Sequence, residues 1–256
     1  MNLKKWIAPL LCVALFVGGS INASAAAKPK KKNVLSAMRL ANDYFMKKWS
    51  DPGQSIPYPS RRKVYESNLW TRACYYEGLM ELWKVDPQQR YIDYATLWGE
   101  RHNWGLRGTK NGVLPRNADN MCAGQVYIFL YQQNPRHPEK YIKAIRAAVD
   151  TMMATDIIDD WSWIDAVQMA MPIFIQMGNL TGNPAYYERA YQMYSYTKHK
   201  HGDNGLYNPK DQLWWRDADF DPPYKEPNGE DCYWSRGNGW IVMAMCPVLD
   251  LLPGGA

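Results

Sequence analysis

Apolar residues recur at steps of three and four in segment after segment of this 256-residue chain, and that period commits it to a helical fold. The spacing predicts helices near residues 34–49, 66–84, 88–103, 118–133, 138–154, 162–178, 184–199 and 235–251. Pro87 and Pro138 sit where first turns begin, and Asp160 or Ser162 is placed to cap the sixth helix. Gly178 and Gly182-Asn183-Pro184 separate the sixth helix from the seventh. No six-residue segment alternates as a strand does. The stretch 200–233 holds Gly, Asn, Pro and Asp with little period and reads as a long loop, a feature more often functional than idle in a compact domain.

Every second helix opens on a polar or aromatic cluster. These are Glu66-Ser67-Asn68-Leu69-Trp70, Arg116-Asn117-Ala118-Asp119-Asn120, Trp161-Ser162-Trp163-Ile164-Asp165 and Trp234-Ser235-Arg236-Gly237-Asn238-Gly239-Trp240. From Trp70 to Asp119, Asp165 and Trp234 the steps are 49, 46 and 69 residues, the last lengthened by the 200–233 loop. A repeat of this size implies stacked helical hairpins. If they close on one another, alternate helices are inner and parallel, and the four clusters line one mouth. The helix dipoles there favour an anionic ligand.

Each cluster also has a plainer explanation. A Trp at a helix start is commonly a staple, and a first-turn Asp commonly a dipole partner. Asp119 fits that description. Asp165 fits it less well, because Trp161, Trp163, Ile164, Val167 and Met169 surround it in sequence. An ionised carboxylate in apolar company is costly, so its pKa is expected to rise, as a general acid working near neutrality requires.

The formal net charge of +5 does not describe the folded body. Lys4 and Lys5 precede an apolar run from Trp6 to Val17 and the small residues Ala23-Ser24-Ala25. That order reads as a secretory leader over residues 1–25, too short to span a membrane, and implies export to the periplasm or beyond. Residues 26–33 form a basic linker and the domain occupies 34–256. Setting aside Lys4, Lys5, Lys28, Lys30, Lys31 and Lys32 takes the charge from +5 to −1. Nucleic-acid binding wants a basic face on the domain itself and finds none. The cysteines outside the leader, Cys74, Cys122, Cys232 and Cys246, are scattered with no zinc-site spacing and read as buried or free thiols, with room for one incidental disulfide. No P-loop, dinucleotide fingerprint, H-E-x-x-H or G-x-S-x-G occurs. Asp217-x-Asp219-x-Asp221 fails as a calcium loop, because Pro222 stands where glycine is needed. His199-Lys200-His201 reads as exposed loop. Twelve Trp and 18 Tyr against 5 Phe suit wet stacking surfaces as well as cores.

Trp163-Ile164-Asp165-Ala166, Asp119-Asn120-Met121-Cys122-Ala123-Gly124 and Trp234-Ser235-Arg236-Gly237-Asn238-Gly239-Trp240 together resemble the unsaturated rhamnogalacturonyl hydrolases of glycoside hydrolase family 105, related to the unsaturated glucuronyl hydrolases of family 88. The resemblance covers roughly residues 34–251. It implies an all-α (α/α)6 toroid that removes 4,5-unsaturated galacturonic acid from pectin fragments by hydrating the C4=C5 bond. Asp165 matches the acid/base, Asp119 the second active-site aspartate, Arg236 a partner for acidic oxygens, and Trp234 and Trp240 the aromatic lining. Trp163 belongs to the matched motif, and Trp70 joins the set on the repeat argument. No metal or organic cofactor is implied, and the expected partner is an unsaturated uronate oligosaccharide. Members of the rhamnogalacturonyl type often carry a His shortly after a Gly-Leu-Tyr turn. Gly205-Leu206-Tyr207 is followed here by Asn208-Pro209-Lys210, so the resemblance does not fix the neighbouring saccharide.

The toroid has six hairpins and the sequence supplies about four, which predicts a C-terminally truncated chain with poor solubility and weak or absent turnover. The rival readings are a non-catalytic carbohydrate-binding protein of the cell envelope, a polysaccharide lyase of toroidal fold, and an inactive remnant.

Overall fold

The computed structural model describes residues 28–58 and 62–254. The expected leader, and residues 26 and 27 of the expected linker, lie outside them. The described residues divide into two units, 28–41 and from Asn42 onward. The first helix, α1 (Lys31–Lys48), starts within the basic stretch and runs across that boundary.

The unit from Asn42 alternates inner and outer helices. α2 (Trp70–Val85) and α3 (Gln89–Arg101) form one hairpin. α4 (Ala118–Met121) and α5 (Ala123–Gln133) follow, then a 3-10 turn at Glu139–Tyr141 and α6 (Lys143–Met153). α7 (Asp165–Thr181), α8 (Ala185–His199) and α9 (Ser235–Leu251) complete the order. α7 shows why the inner helices are inner. Every residue from Asp165 to Ile175 is buried, as in a helix wrapped by protein on all sides. It packs against α9, α8, α4 and α5. Its end is fixed by Gly182, left-handed at φ +68°, whose N–H donates to the Gly178 carbonyl at 2.8 Å.

Three local expectations need correction. Asp160 does not cap the sixth helix. Its carboxylate takes a two-pronged ion pair from Arg116, Nε to Oδ1 at 2.8 Å and Nη2 to Oδ2 at 2.6 Å. Nor does Ser162, since α7 begins three residues later behind Ile164, with no side-chain cap. The predicted 118–133 helix is two segments meeting at Cys122. The chain also contains strands, though short ones. β1 (Ile56–Tyr58) pairs antiparallel with β2 (Lys63–Tyr65), and β3 (Tyr207–Asn208) with β4 (Leu213–Trp214) inside the 200–233 loop. Strands of two and three residues are too brief to show an alternation in sequence.

The inner helices point the same way. Glu77 of α2 accepts hydrogen bonds from Cys122 Sγ at 3.1 Å and from Gln168 Nε2 of α7 at 2.6 Å, so these three residues share a level. Asp119 and Asp165 each lie three residues earlier, about one turn higher at 1.5 Å per residue. Trp70 lies seven residues before Glu77 and so about a further turn toward the mouth. The described helices are too short or too polar to cross a membrane.

Candidate active site

Asp165 is the first residue of α7, and two elements, the segment after β4 and α8, fix its place. The Ile164 N–H donates to the Arg216 carbonyl at 3.0 Å, and Trp163 forms a backbone bridge to Asp217. Thr197 Oγ1 of α8 donates to the Trp161 carbonyl at 2.7 Å, with the Trp161 ring fully buried beside Phe174. The Asp165 residue is only 9% exposed, and its Oδ1 has no hydrogen-bond partner. Burial pushes its carboxyl up to about 6, with Asp119 and Asp217 adding to the rise while Arg236 and Arg216 oppose it. A carboxyl set between two carboxylates and two guanidiniums is poised to hold a proton near neutrality and release it to an incoming group.

Asp119 stands in the first turn of α4. Burial raises its pKa too, and the Arg107 guanidinium offsets part of the rise. Arg107 is itself steered by Asn120, whose Oδ1 accepts from Nη1 at 2.8 Å.

The segment from Trp234 to Trp240 divides its labour. Gly237 is buried, and a Cβ there would lie 2.5 Å from Ile164 Cδ1 and 2.7 Å from the Trp234 ring. Only glycine lets α9 approach the residue before Asp165 so closely. Asn238 ties the helix to the loop: Trp214 N–H donates to its Oδ1 at 2.8 Å, and its Nδ2 donates to the Trp214 and Trp234 carbonyls at 2.9 and 3.1 Å. Arg236 is exposed, with its guanidinium 4.3 Å from the Trp234 ring centre. Trp234 and Trp240 are half-buried.

The structure therefore brings Asp165, Asp119 and Arg236 into one electrostatic neighbourhood, flanked by Trp234. Trp163 is half-buried and lines a cavity of about 330 Å³ with Ser162, His201, Asp217, Ala218 and Asp219. Trp70, also half-buried, stands higher at the mouth. The polar residues before it serve the scaffold. Ser67 Oγ donates to the Pro52 carbonyl at 2.8 Å and meets His102 Nε2 at 2.6 Å, and Asn68 donates to the Gly105 carbonyl at 3.0 Å.

Sequence reasoning missed Arg216 and Asp217. Their ion pair, Nε to Oδ2 at 2.6 Å, sits beside Asp165 because the segment after β4 pairs with residues 163 and 164. The three-aspartate spacing drew attention to Asp217 only as a cation ligand, and nothing in the sequence pairs it with Trp163.

This fold and site define a mostly helical class with an acidic centre at the N-termini of its inner helices. The chain belongs to glycosyl hydrolase family 88, whose sequence model matches residues 37–256. An unsaturated 3S-rhamnoglycuronyl hydrolase of Formosa agariphila is 24% identical over 72% of this chain and 51% of its own length. An unsaturated rhamnogalacturonyl hydrolase of Bacillus subtilis is 21% identical over 72% of this chain and 54% of its own. A family 88 glycosyl hydrolase structure from Bacteroides vulgatus superposes with a TM-score of 0.77 at 25% identity, over 89% of this chain and 63% of that one. The chain thus spans about half the length of the curated relatives it matches. Its structural neighbours are helical toroids, as the repeat and the resemblance imply.

Proposed function

We propose that this chain carries the catalytic half of an unsaturated uronyl hydrolase, with Asp165 as both acid and base. The single observation that carries the reading is the Asp165 carboxyl: buried, at a helix N-terminus, raised to about 6, and faced by two arginines. A 4,5-unsaturated uronate is an enol ether conjugated with a carboxylate. Asp165 donates its proton to C4, and positive charge develops at C5 and the ring oxygen. Water adds at C5 and gives its proton back to the Asp165 carboxylate. The hemiketal so formed opens to a C5 ketone, and C1, now a hemiacetal, releases the neighbouring sugar. One water is consumed and the acid is regenerated. The inference from carboxylate separation to retention or inversion does not apply, because no displacement occurs at the anomeric carbon.

Arg236 suits the substrate carboxylate, with the two-donor fork that such a group takes. Asp119 suits a sugar hydroxyl and assists the water. Trp234, Trp240, Trp163 and Trp70 suit sugar faces. The relatives' names divide between glycuronyl and galacturonyl substrates. Elimination accounts for part of that division, since it erases C4, the only stereocentre at which glucuronate and galacturonate differ. Selection between them therefore falls on the anomeric linkage and the next saccharide. We assign the unsaturated galacturonyl-rhamnose linkage of pectin lyase products as the first candidate. The leader-like residues 1–25 support export to where such products form.

The test is loss of the ultraviolet absorbance of the conjugated double bond, with unsaturated galacturonyl-rhamnose and glycuronyl-rhamnose disaccharides. Loss that Asp165→Asn abolishes while binding persists supports the reading. Turnover that survives Asp165→Asn, or binding of both disaccharides with no turnover, overturns it in favour of a different acid or a binding protein. A gain of that absorbance from a saturated polymer identifies a lyase.

A further inference from the structure

One turn below Asp119 and Asp165 lies a second cluster that the proposed reaction does not use. Cys74 and Glu77 are three residues apart on α2 and so share a face. Cys122 comes from the joint between α4 and α5. Their Sγ and carboxylate atoms all lie within 4.8 Å of one another, and Cys122 Sγ is 3.1 Å from Glu77 Oε1. Gln168 of α7 joins them, its Nε2 donating to Glu77 Oε2 at 2.6 Å. The other atom of that amide, Oε1, is buried without a partner on a residue only 3% exposed. Cys74, Glu77 and Gln168 all line a cavity of about 610 Å³.

We propose that Cys74, Cys122 and Glu77 form a binding site for a thiophilic divalent cation of the zinc class, with the Gln168 amide oxygen or a water completing a tetrahedron. The donor set is chemically apt, since zinc is held by thiolates and carboxylates in fours. The distances are apt too. Bonds of about 2.3 Å to sulfur and about 2.0 Å to oxygen place tetrahedral ligands about 3.5–3.8 Å apart, and the ligand atoms, one pair at 3.1 Å and all within 4.8 Å, reach that spacing by small side-chain shifts. On binding, both thiols give up their protons to solvent. The Gln168 amide orients the Glu77 carboxylate as an outer-sphere partner does, and the cavity supplies the entry path. Because the ligands come from α2 and the α4–α5 joint, a bound cation ties those two elements together beneath the catalytic level. Widely spaced cysteines give no such signal in sequence. Folding brings them together because Cys74 and Cys122 occupy the same level of two parallel inner helices.

The test is titration of the full chain, reduced and freed of metal, with cobalt(II) as a spectroscopic stand-in. The expected result is a thiolate-to-cobalt charge-transfer band and tetrahedral visible bands that saturate at one equivalent and vanish on adding zinc. Cys74→Ser and Cys122→Ser each remove the charge-transfer intensity due to one sulfur, and Glu77→Gln weakens binding. Cys232→Ser, outside the cluster, keeps the full spectrum. Zinc raises the thermal midpoint of the parent chain and not of Cys74→Ser, which sits half-buried at the cavity and perturbs packing least. The proposal is overturned by absence of a charge-transfer band in the reduced chain. A band indifferent to both serine variants does the same. So does a Cys74–Cys122 disulfide in the isolated protein with no cobalt binding after its reduction.

Discussion

Two levels of the same inner helices, one turn apart, handle a buried carboxyl differently. Glu77, on the lower level, is pushed by burial up to about 7, and its hydrogen bonds come from a thiol and an amide. Asp165, on the upper level, reaches about 6 with two arginines and two carboxylates acting on it. Burial raises both groups, yet only the upper one has arginines acting on it. A raised pKa alone therefore does not designate the catalytic group. What distinguishes Asp165 is the charge around it, and that charge comes from the segment after β4 and from the start of α9. The helices supply two carboxyls with raised pKa values, and the loop and the helix terminus put charge beside one of them.

The largest expected effect tests that distinction directly. Asp165→Asn is expected to lower kcat on the order of 10³-fold, within the range general acid–base catalysis supplies. Its effect on stability has the opposite sign. The folded state holds the Asp165 proton more tightly than the unfolded chain does. The group therefore favours folding at low pH, and that contribution is lost as pH rises through about 6. At pH 8 the Asn variant is expected to gain on the order of 1–3 kcal/mol over the parent, and at pH 4 much less. Denaturant melts at the two pH values check this. A variant that loses both turnover and stability at pH 8 marks Asp165 as a scaffold residue.

Next in size are the arginines. Arg236→Ala is expected to raise KM for the unsaturated disaccharide about 10- to 100-fold, the value of a charge-assisted hydrogen bond to a carboxylate. Arg216→Ala acts differently, because Arg216 is paired with Asp217 beside Asp165. Removing it takes away one of the cations holding the acid down, so the falling limb of kcat against pH moves upward. Measuring both pH profiles separates the two roles. Equal KM effects with unmoved limbs show that both arginines only bind substrate.

Asn238→Ala is expected to cost about 1–3 kcal/mol, because it takes the side-chain partner from the Trp214 N–H and carbonyl, while the Trp234 carbonyl keeps the backbone N–H of residue 238. It also frees the segment that carries Arg216. Urea melts and turnover measured together check it. A stability loss with unchanged kcat shows that the Arg216 segment is held by Ile164 and Trp163 without Asn238.

How much of this was legible beforehand follows from periodicity. The helices were readable, since a 3.6-residue apolar period repeats throughout, and with them the common level of Asp119, Asp165 and Arg236. The identity of the matched motif was readable too, though not the work of its parts. That Gly237 yields space to Ile164, 73 residues earlier, and that Asn238 grips Trp214, 24 residues earlier, depends on where α9 crosses those segments, which no local pattern encodes. Arg116 reads in sequence as part of a cluster and Asp160 as a cap, and the two are one ion pair. Arg216, Asp217 and the Cys74–Glu77–Cys122 cluster share the same cause, as each is assembled across elements distant in sequence and leaves no spacing to read.

The smallest expected effect is a limb that stays where it is. In Glu77→Gln the fall of kcat with rising pH is expected to keep its midpoint near 6, because the proposed proton donor is Asp165. Both carboxyls titrate in the same region, so a profile of the parent alone does not separate them. The paired measurement does. The limb disappears from the residual activity of Asp165→Asn and persists in Glu77→Gln, whatever happens to the height of the curve. A limb that vanishes in Glu77→Gln assigns the working proton to the lower level. It would mean that the arginines of the upper level serve only to hold the anion.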